Sequence, residues 1–344
     1  HILKIYHSHQ MKNLYITLVL SMGLSLLFTG CQKSSGSVKH RVLLDADANN
    51  ELDDQHAMAY LFFNGDVFDV AGITVNTTRN GGNINGHYKE ARRVMDLCNV
   101  YESMPLLKGA NASFEEIRQN LDKADFDGAD AVNFIIEEAH KKSKEKLILL
   151  PIGKLTNIAL ALEKDPTIAD KVRIVWLGSN YPYPGEYNQD NDEASLNYVL
   201  NVDVPFEIVL VRGGKETGTA AVSSNRAEIN SEMPGKGPLA KKPIIGRHGD
   251  SFDRFGDYSV SLYNNIETYD EAGTRPLYDM AAIAIVKNPK WAEKKEIPAP
   301  ILVDGEWQER PDNPRKVMIW ENFNKKAIMA DFFDRMENFV PVTP

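Results

Sequence analysis

The chain has 344 residues, of which 43% are hydrophobic and 25% are charged, and this is enough apolar content for a full globular core. Its formal net charge is -9, which argues against a duplex nucleic acid partner because phosphate binding needs a basic surface. Its two cysteines, Cys31 and Cys98, are too few for a disulfide framework. Cys98 lies in an apolar helical pattern and is predicted to pack in the core.

The first 31 residues are predicted to be an export segment. A lysine precedes an apolar run over residues 14–28, which is too short for a membrane span of about 20 residues. The run ends in Leu27-Phe-Thr-Gly-Cys31, which resembles a bacterial lipoprotein box. We therefore expect a lipid on Cys31 and a membrane-anchored protein in the periplasm or on the cell surface. The alternative is an uncleaved anchor. The predicted division is an upstream extension and signal over residues 1–31, a polar tether over 32–40 and one domain over 41–344.

From residue 41 onward, predicted strands alternate with predicted helices. The strands are predicted over residues 42–44, 68–75, 147–152, 172–177 and 204–211, and the helices from just after Asp54 and over residues 86–100, 129–139, 155–162 and 276–286. This alternation predicts an α/β fold with an open, mostly parallel but mixed, Rossmann-like sheet and helices on both faces. The polar segment 223–255 is a candidate mobile loop over a site.

Four aspartates lie within ten residues where the first predicted strand ends: Asp45, Asp47, Asp53 and Asp54. Carboxylates this close repel one another unless a cation neutralises them or one is protonated. At the carboxyl end of a strand in an α/β fold, such a cluster is a candidate site for a hard metal ion. The alternative is a solvated acidic turn in which Asp53 caps the following helix.

Together with three later segments, the acidic loop resembles the nucleoside hydrolase family, the inosine–uridine-preferring nucleoside N-ribohydrolases. The family signature Asp-x-Asp-Pro-Gly-x-Asp-Asp is similar to residues 45–54, which are two residues longer and lack the Pro-Gly. Residues 151–161 resemble the family's Gly-Pro-Leu-Thr-Asn-Ile-Ala, and residues 180–188 end like its Glu-Phe-Asn. Residues 276–282 are placed like its His-Asp-Ala. Four motifs in one order make the resemblance specific.

The resemblance implies a calcium site and a ribose site. Calcium takes about six to eight oxygen ligands at roughly 2.3–2.6 Å. The implied ligands are the carboxylates of Asp47, Asp54 and Asp279, the backbone carbonyl of Ile152, a water and two ribose hydroxyls. The implied ribose contacts are Asp53, Asn80, Asn180, Glu186 and Asn188. Asn76 is a rival to Asn80, and Asp45 is expected to brace the loop. The alternatives are a helix N-cap for Asp279 and plain turn residues for segment 180–188.

The implied reaction is hydrolysis of the N-glycosidic bond of a ribonucleoside to ribose and free base, through an oxocarbenium-like transition state. Asp47 is implied as the general base that deprotonates a calcium-held water. Tyr278 occupies the position of a histidine that protonates the departing base in many family members. With an ordinary pKa of about 10, tyrosine is a poorer acid. It can instead stack on the base or donate a hydrogen bond, and His248 is another candidate acid.

The sequence therefore predicts a lipid-anchored, calcium-dependent nucleoside hydrolase that salvages purine or pyrimidine nucleosides. The resemblance also implies a homodimer or a homotetramer. One alternative is a hydrolase of another N- or O-riboside on the same fold. A second alternative, from a different class, is a calcium-dependent ribose- or nucleoside-binding lipoprotein that has lost catalysis.

Overall fold

An open sheet of eight strands runs through residues 38–342, the part of the chain that the computed structural model describes. The strands in chain order are β1 (His40–Ala46), β2 (Phe68–Val75), β3 (Leu106–Lys108), β4 (Leu147–Pro151), β5 (Val172–Gly178), β6 (Phe206–Leu210), β7 (Ser223–Ser224), β8 (Ile244–Ile245), β9 (Ser251–Phe252), β10 (Arg275–Pro276), β11 (Glu293–Pro298), β12 (Ile301–Val303), β13 (Glu306–Gln308) and β14 (Lys316–Glu321). The main sheet has the order β11-β14-β6-β5-β4-β1-β2-β3, and three short pairs (β7 with β10, β8 with β9, β12 with β13) lie outside it.

Helices connect most strands of the main sheet. The α-helices of the described residues are α1 (Asp53–Phe62), α2 (Ile84–Leu97), α3 (Phe114–Ile117), α4 (Ala129–His140), α5 (Thr156–Lys164), α6 (Tyr187–Asn191), α7 (Glu193–Asn201), α8 (Arg226–Glu232), α9 (Phe255–Asn265), α10 (Tyr278–Lys287) and α11 (Lys325–Glu337). Single 3₁₀ turns occur at Arg118–Asn120, Pro166–Ile168, Thr219–Ala221 and Pro289–Trp291.

Every neighbouring strand pair in the main sheet is parallel except β11 with β14, which is antiparallel. Alternate side chains of a strand point to opposite faces. In β5, Ile174 and Trp176 join one core cluster, whereas Val175 and Leu177 join the other. Both faces are therefore buried, as the apolar strand sequences predict. The predicted α/β fold with a mixed, mostly parallel sheet is confirmed, and Cys98 is buried in the core as predicted.

The element boundaries differ from the predictions where capping or pairing intervenes. The helix predicted over residues 86–100 begins at Ile84, because the Asn83 side chain caps it by accepting from the Asn85 backbone N–H. The helix predicted from residue 276 begins at Tyr278 because Arg275–Pro276 pairs with β7. The segment 223–255, a candidate mobile loop, contains α8 and three short strands rather than one open loop.

The predicted export signal and the lipid site at Cys31 lie outside the described residues, as does most of the predicted tether. They stay predictions. Within residues 38–342, no helix has both the length and the apolar character needed to cross a membrane. Residues Lys39–Pro344 group into one compact unit, and the site described next belongs to that unit.

Candidate active site

The site lies where the parallel strands end. Asp47 directly follows β1, Ile152 directly follows β4, and Val211 directly follows β6. The carboxyl ends of parallel strands share one edge of the sheet, and ligands of open α/β sheets bind outside that edge. Helices α1 and α10, which pack on each other, begin at the same place. A cavity at this edge is lined by nine of the predicted site residues: Asp47, Asp53, Asp54, Ile152, Asn180, Glu186, Asn188, Tyr278 and Asp279.

Three buried carboxylates form the acidic centre of this cavity. Asp53, Asp54 and Asp279 each present an oxygen within 4.8 Å of the other two. Asp53 and Asp54 open α1, and Asp279 is the second residue of α10. The N-cap positions are Leu52 and Leu277, so neither Asp53 nor Asp279 has the capping role considered as the alternative. Their place in the first helical turn is favourable for negative charge because the helix dipole is positive there.

Burial and mutual repulsion raise the pKa values of these three carboxyl groups. Burial raises the pKa of Asp53 to about 7, and the charge of Asp47 adds to this. Burial also raises the pKa of Asp54 and of Asp279 well above the usual range, and the neighbouring aspartates add to both shifts. Three convergent carboxylates offer only hard oxygen donors. The donor set therefore fits a cation such as Ca²⁺, which would remove the repulsion.

Asp47 lies beside this centre in a fixed orientation. Its side chain is buried, and its Oδ2 accepts hydrogen bonds from Asn50 Nδ2 (2.9 Å) and Thr78 Oγ1 (2.6 Å). Its backbone N–H donates to Asp54 Oδ1 at 3.2 Å. Two neutral donors thus hold one carboxylate oxygen. Asp53, which was predicted to contact ribose, belongs to the compact acidic centre. Asp47, which was predicted as a metal ligand, is not one of its three carboxylates and accepts hydrogen bonds from Asn50 and Thr78.

Asp45 lies behind the cavity and braces it. It is fully buried and accepts hydrogen bonds from Asn76 Nδ2 (2.9 Å) and Asn157 Nδ2 (3.0 Å). Burial raises the pKa of Asp45 to about 7, although these hydrogen bonds oppose the shift. The contacts join the ends of β1 and β2 to the first turn of α5, in agreement with the bracing role expected for Asp45.

The structure does not bring Asn80 to the cavity. Asn80 is exposed, and its backbone N–H donates to Tyr187 Oη at 2.9 Å. Gly81 and Gly82 follow it, both with a φ of 82°, a conformation that glycine adopts readily. The rival residue Asn76 is buried, but its amide is bound to Asp45. Asn80 therefore does not line the cavity, and its predicted ribose contact stays a prediction.

Glu186 is a buried helix cap as well as a cavity residue. Its carboxylate accepts from the backbone N–H groups of Ser179 (2.8 Å), Gln189 (2.9 Å) and Asn188 (3.1 Å). Burial raises the pKa of Glu186 to about 7 against these hydrogen bonds. The three donors fix the carboxylate at the start of α6, so Glu186 contributes a rigid polar group to the wall of the cavity.

Two asparagines complete that wall. Asn180 Oδ1 accepts from the Gly213 N–H at 2.8 Å, and its amide group donates to the Gly185 carbonyl. Asn188 Nδ2 donates to the carbonyls of Ile152 (2.9 Å) and Leu177 (3.1 Å). The Ile152 carbonyl is a predicted metal ligand, and it retains a second lone pair for that use. Asn180 and Asn188 therefore hold their loops in place, as expected if they were plain turn residues. Both of them also line the cavity.

Tyr278 shares the cavity with residues that were not predicted from the sequence to be site residues. Burial raises the pKa of Tyr278 well above its usual value, and a hydrogen bond with Tyr269 raises it further. Asn50, Glu51, Tyr187 and Tyr269 also line the cavity. Asn50 and Glu51 lie in the part of the acidic loop that is two residues longer than the family signature. That extra length was the one feature of the sequence that could have indicated them as site residues. His248, the other candidate acid, is exposed and does not line the cavity.

Comparisons with known proteins place the chain in a family. The model of the family described as inosine-uridine preferring nucleoside hydrolase matches residues 42–330. The chain is 26% identical over 278 residues to the pyrimidine-specific ribonucleoside hydrolase RihB of Escherichia coli O9:H4 (strain HS), covering 75% of this chain and 82% of RihB. It is 28% identical over 287 residues to the inosine-uridine preferring nucleoside hydrolase of Leishmania major, covering 77% and 84%.

Solved structures show the same fold. A plant nucleoside hydrolase, PpNRh1, aligns with a TM-score of 0.68 at 17% identity over 87% of this chain and 99% of its own. A purine-preferring ribonucleoside hydrolase from Gardnerella vaginalis aligns with a TM-score of 0.66 at 18% identity over 86% and 98%. At this level of identity the likeness concerns the fold alone.

Proposed function

The chain belongs to the inosine-uridine preferring nucleoside hydrolase family, and from that premise we propose that it hydrolyses the N-glycosidic bond of ribonucleosides to ribose and free base. One observation carries the proposal: the buried centre of Asp53, Asp54 and Asp279 shares a cavity with a separately oriented carboxylate, Asp47. A hydrolase of this kind needs both a site for a cation and a base for water.

The proposed cation is Ca²⁺. Its proposed ligands are the carboxylates of Asp47, Asp54 and Asp279 and the carbonyl of Ile152, with Asp53 beside them at the sugar. When bound, the ion would supply positive charge that orients ribose hydroxyls and makes a nearby water more acidic. The support is the oxygen-only donor set and its burial, since hard cations prefer such ligands.

Asp47 is the proposed general base. It accepts a proton from the attacking water, whose oxygen bonds to the anomeric carbon while the carbon–nitrogen bond breaks and its electron pair passes to the base. Asn50 and Thr78 hold one Asp47 oxygen, which restricts the carboxylate to one orientation before the reaction begins. The surrounding carboxylates also favour the positive charge that develops on the ribose in the transition state.

The proposed ribose clamp is the rigid wall of Asn180, Glu186 and Asn188. Each of these side chains is fixed by backbone hydrogen bonds. A clamp that is ordered in advance costs little conformational entropy when the sugar binds. We propose that the clamp orients the anomeric carbon towards Asp47.

Tyr278 is proposed to donate a hydrogen bond to the departing base without transferring its proton. Burial holds the pKa of this hydroxyl well above its usual value, so it stays protonated at neutral pH. We expect Tyr278→Phe to lower kcat by about tenfold, the effect of losing one hydrogen bond to a group that becomes charged. Steady-state kinetics of the two proteins test this, and an unchanged kcat would remove Tyr278 from the mechanism.

The proposed function is tested by release of reducing sugar from a panel of purine and pyrimidine ribonucleosides, with residues 32–344 and added calcium. We expect ribose and free base from at least one nucleoside. A second candidate function is calcium-dependent nucleoside binding without hydrolysis, which is favoured by tyrosine at position 278 in place of a stronger acid. Tight binding without turnover of any nucleoside would establish that second function and contradict the first.

A further inference from the structure

Residues 49–51, which include the two-residue extension of the acidic loop, are held in place at the cavity wall. Arg247, between β8 and β9, donates to the carbonyls of Glu51 (2.6 Å) and Asn49 (3.1 Å). The Asn49 side chain donates to the Gly81 carbonyl at 2.6 Å, and its backbone N–H donates to Nδ1 of His87 at 3.2 Å. Contacts from two separate segments, residues 81–87 and Arg247, thus set the position of residues 49–51. Such a loop presents its side chains to a ligand in one arrangement.

Glu51 projects a carboxylate from this loop into the lining of the cavity. Its side chain is 37% exposed and forms an ion pair through Oε2 with Arg275, whose side chain is only 5% exposed. Arg275 is itself held, because its guanidinium donates to the Glu267 carbonyl (3.1 Å) and lies 4.3 Å from the centre of the Tyr269 ring. The ion pair fixes Glu51 and leaves Oε1 for another partner.

The base of a bound nucleoside would lie on this side of the cavity. The rigid wall of Glu186 and Asn188 and the acidic centre account for the sugar, as argued above. Tyr278, proposed to contact the departing base, lines the cavity together with Tyr269, and the Tyr269 ring lies against the arginine that pairs with Glu51. Glu51 therefore places a carboxylate in the same part of the cavity as Tyr269 and Tyr278.

We propose that Glu51 is a specificity-determining residue that accepts a hydrogen bond from a ring N–H of the base, such as N3–H of uracil or N1–H of hypoxanthine and guanine. The proposal rests on the proposed function. A carboxylate accepts hydrogen bonds and donates none, so it favours a base that presents a donor. A base methylated at that nitrogen lacks the donor and places a methyl group against the carboxylate, and sites built for a hydrogen bond reject such analogues strongly.

The test compares each nucleoside with its N-methylated analogue: uridine with 3-methyluridine, and inosine with 1-methylinosine. We expect the wild-type protein to prefer the parent nucleoside in kcat/KM by about ten- to a hundredfold, as for one hydrogen bond to a charged partner. Glu51→Ala should remove most of that preference. Glu51→Gln preserves the size of the side chain and an accepting oxygen, and should retain part of it. Glu216→Ala, which removes an exposed carboxylate near Gly213 on the sugar side, should leave the preference unchanged.

The outcomes separate this inference from the proposed function. If the wild-type protein hydrolyses parent and methylated nucleosides equally well, or if Glu51→Ala and Glu51→Gln both retain the full preference, Glu51 does not read the base, while the proposed hydrolysis stands. If the wild-type protein hydrolyses none of the four nucleosides or the wider panel, the proposed function fails and this inference fails with it. Thermal unfolding of each variant shows whether its fold is intact.

Discussion

Replacing Asp47 with asparagine is expected to lower kcat for the preferred nucleoside by about 10²–10⁴-fold, the range typical of a general base. Asparagine has nearly the same shape, and its carbonyl can still accept the hydrogen bonds from Asn50 and Thr78 that hold Oδ2 in the native protein. The substitution therefore removes the proton acceptor and the negative charge while the surrounding contacts remain possible. The sugar wall is unchanged, so KM should change much less than kcat when calcium is saturating for both proteins.

Steady-state kinetics of ribose release measure this effect. Asp190→Asn is the matched control, because Asp190 is an exposed carboxylate on α6, next to the cavity but outside its lining. We expect the control to retain the wild-type kcat. If Asp47→Asn retained it as well, the base would have to be another group in the cavity.

Much of the site follows from the sequence because its residues come directly after buried strands. Asp47 and Ile152 follow β1 and β4, whose apolar runs are readable since both faces of the sheet are covered. The order of the parallel strands brings these distant positions to one edge. Side chains in longer connections were harder to place. Asn80 was expected at the sugar, but its side chain is exposed and does not line the cavity.

Two of the residues that sequence reasoning missed, Tyr269 and Glu51, depend on tertiary contacts for their place in the site. Tyr269 lies in an exposed loop with no motif, and it reaches the cavity through Tyr278 and Arg275. Glu51 was visible only as part of an unexplained extension, and its role depends on Arg275, more than 200 residues away in the chain. Neither periodicity nor local composition reports contacts of this range.

The C-terminal part of the fold was missed for a different reason. Strand β11 reads Glu-Lys-Lys-Glu-Ile-Pro and is mostly exposed at the edge of the sheet. Charged residues are common on edge strands because they discourage pairing with other molecules. The same residues remove the apolar alternation by which a strand is recognised. β11 pairs antiparallel with β14, which is parallel to β6, so β11 is the strand that gives the sheet its mixed character.

Removal of calcium is expected to abolish turnover and to lower the melting temperature at pH 7.5 more than at pH 5. The reason for the pH dependence is the acidic centre. Burial raises the pKa of Asp53 from 3.8 to about 7, so the folded protein holds a proton that the unfolded chain releases between these values. The free energy of unfolding of the metal-free protein must then decrease as the pH rises from about 4 to about 7. The raised pKa values of Asp54 and Asp279 act in the same direction.

Calcium opposes this loss because it binds the ionised carboxylates of the folded state only. Mass action then stabilises the protein by about 2.7 kcal/mol at a free concentration of a hundred times Kd, whereas protons compete with the ion at pH 5. Asp45 and Glu186, whose pKa burial also raises to about 7, respond to pH with or without calcium. The difference between calcium-loaded and chelator-treated samples therefore isolates the acidic centre. Calorimetry at both pH values measures it, and Asp279→Asn should eliminate most of the difference. A melting temperature and turnover that are indifferent to chelation at pH 7.5 would show that these carboxylates hold no catalytic calcium.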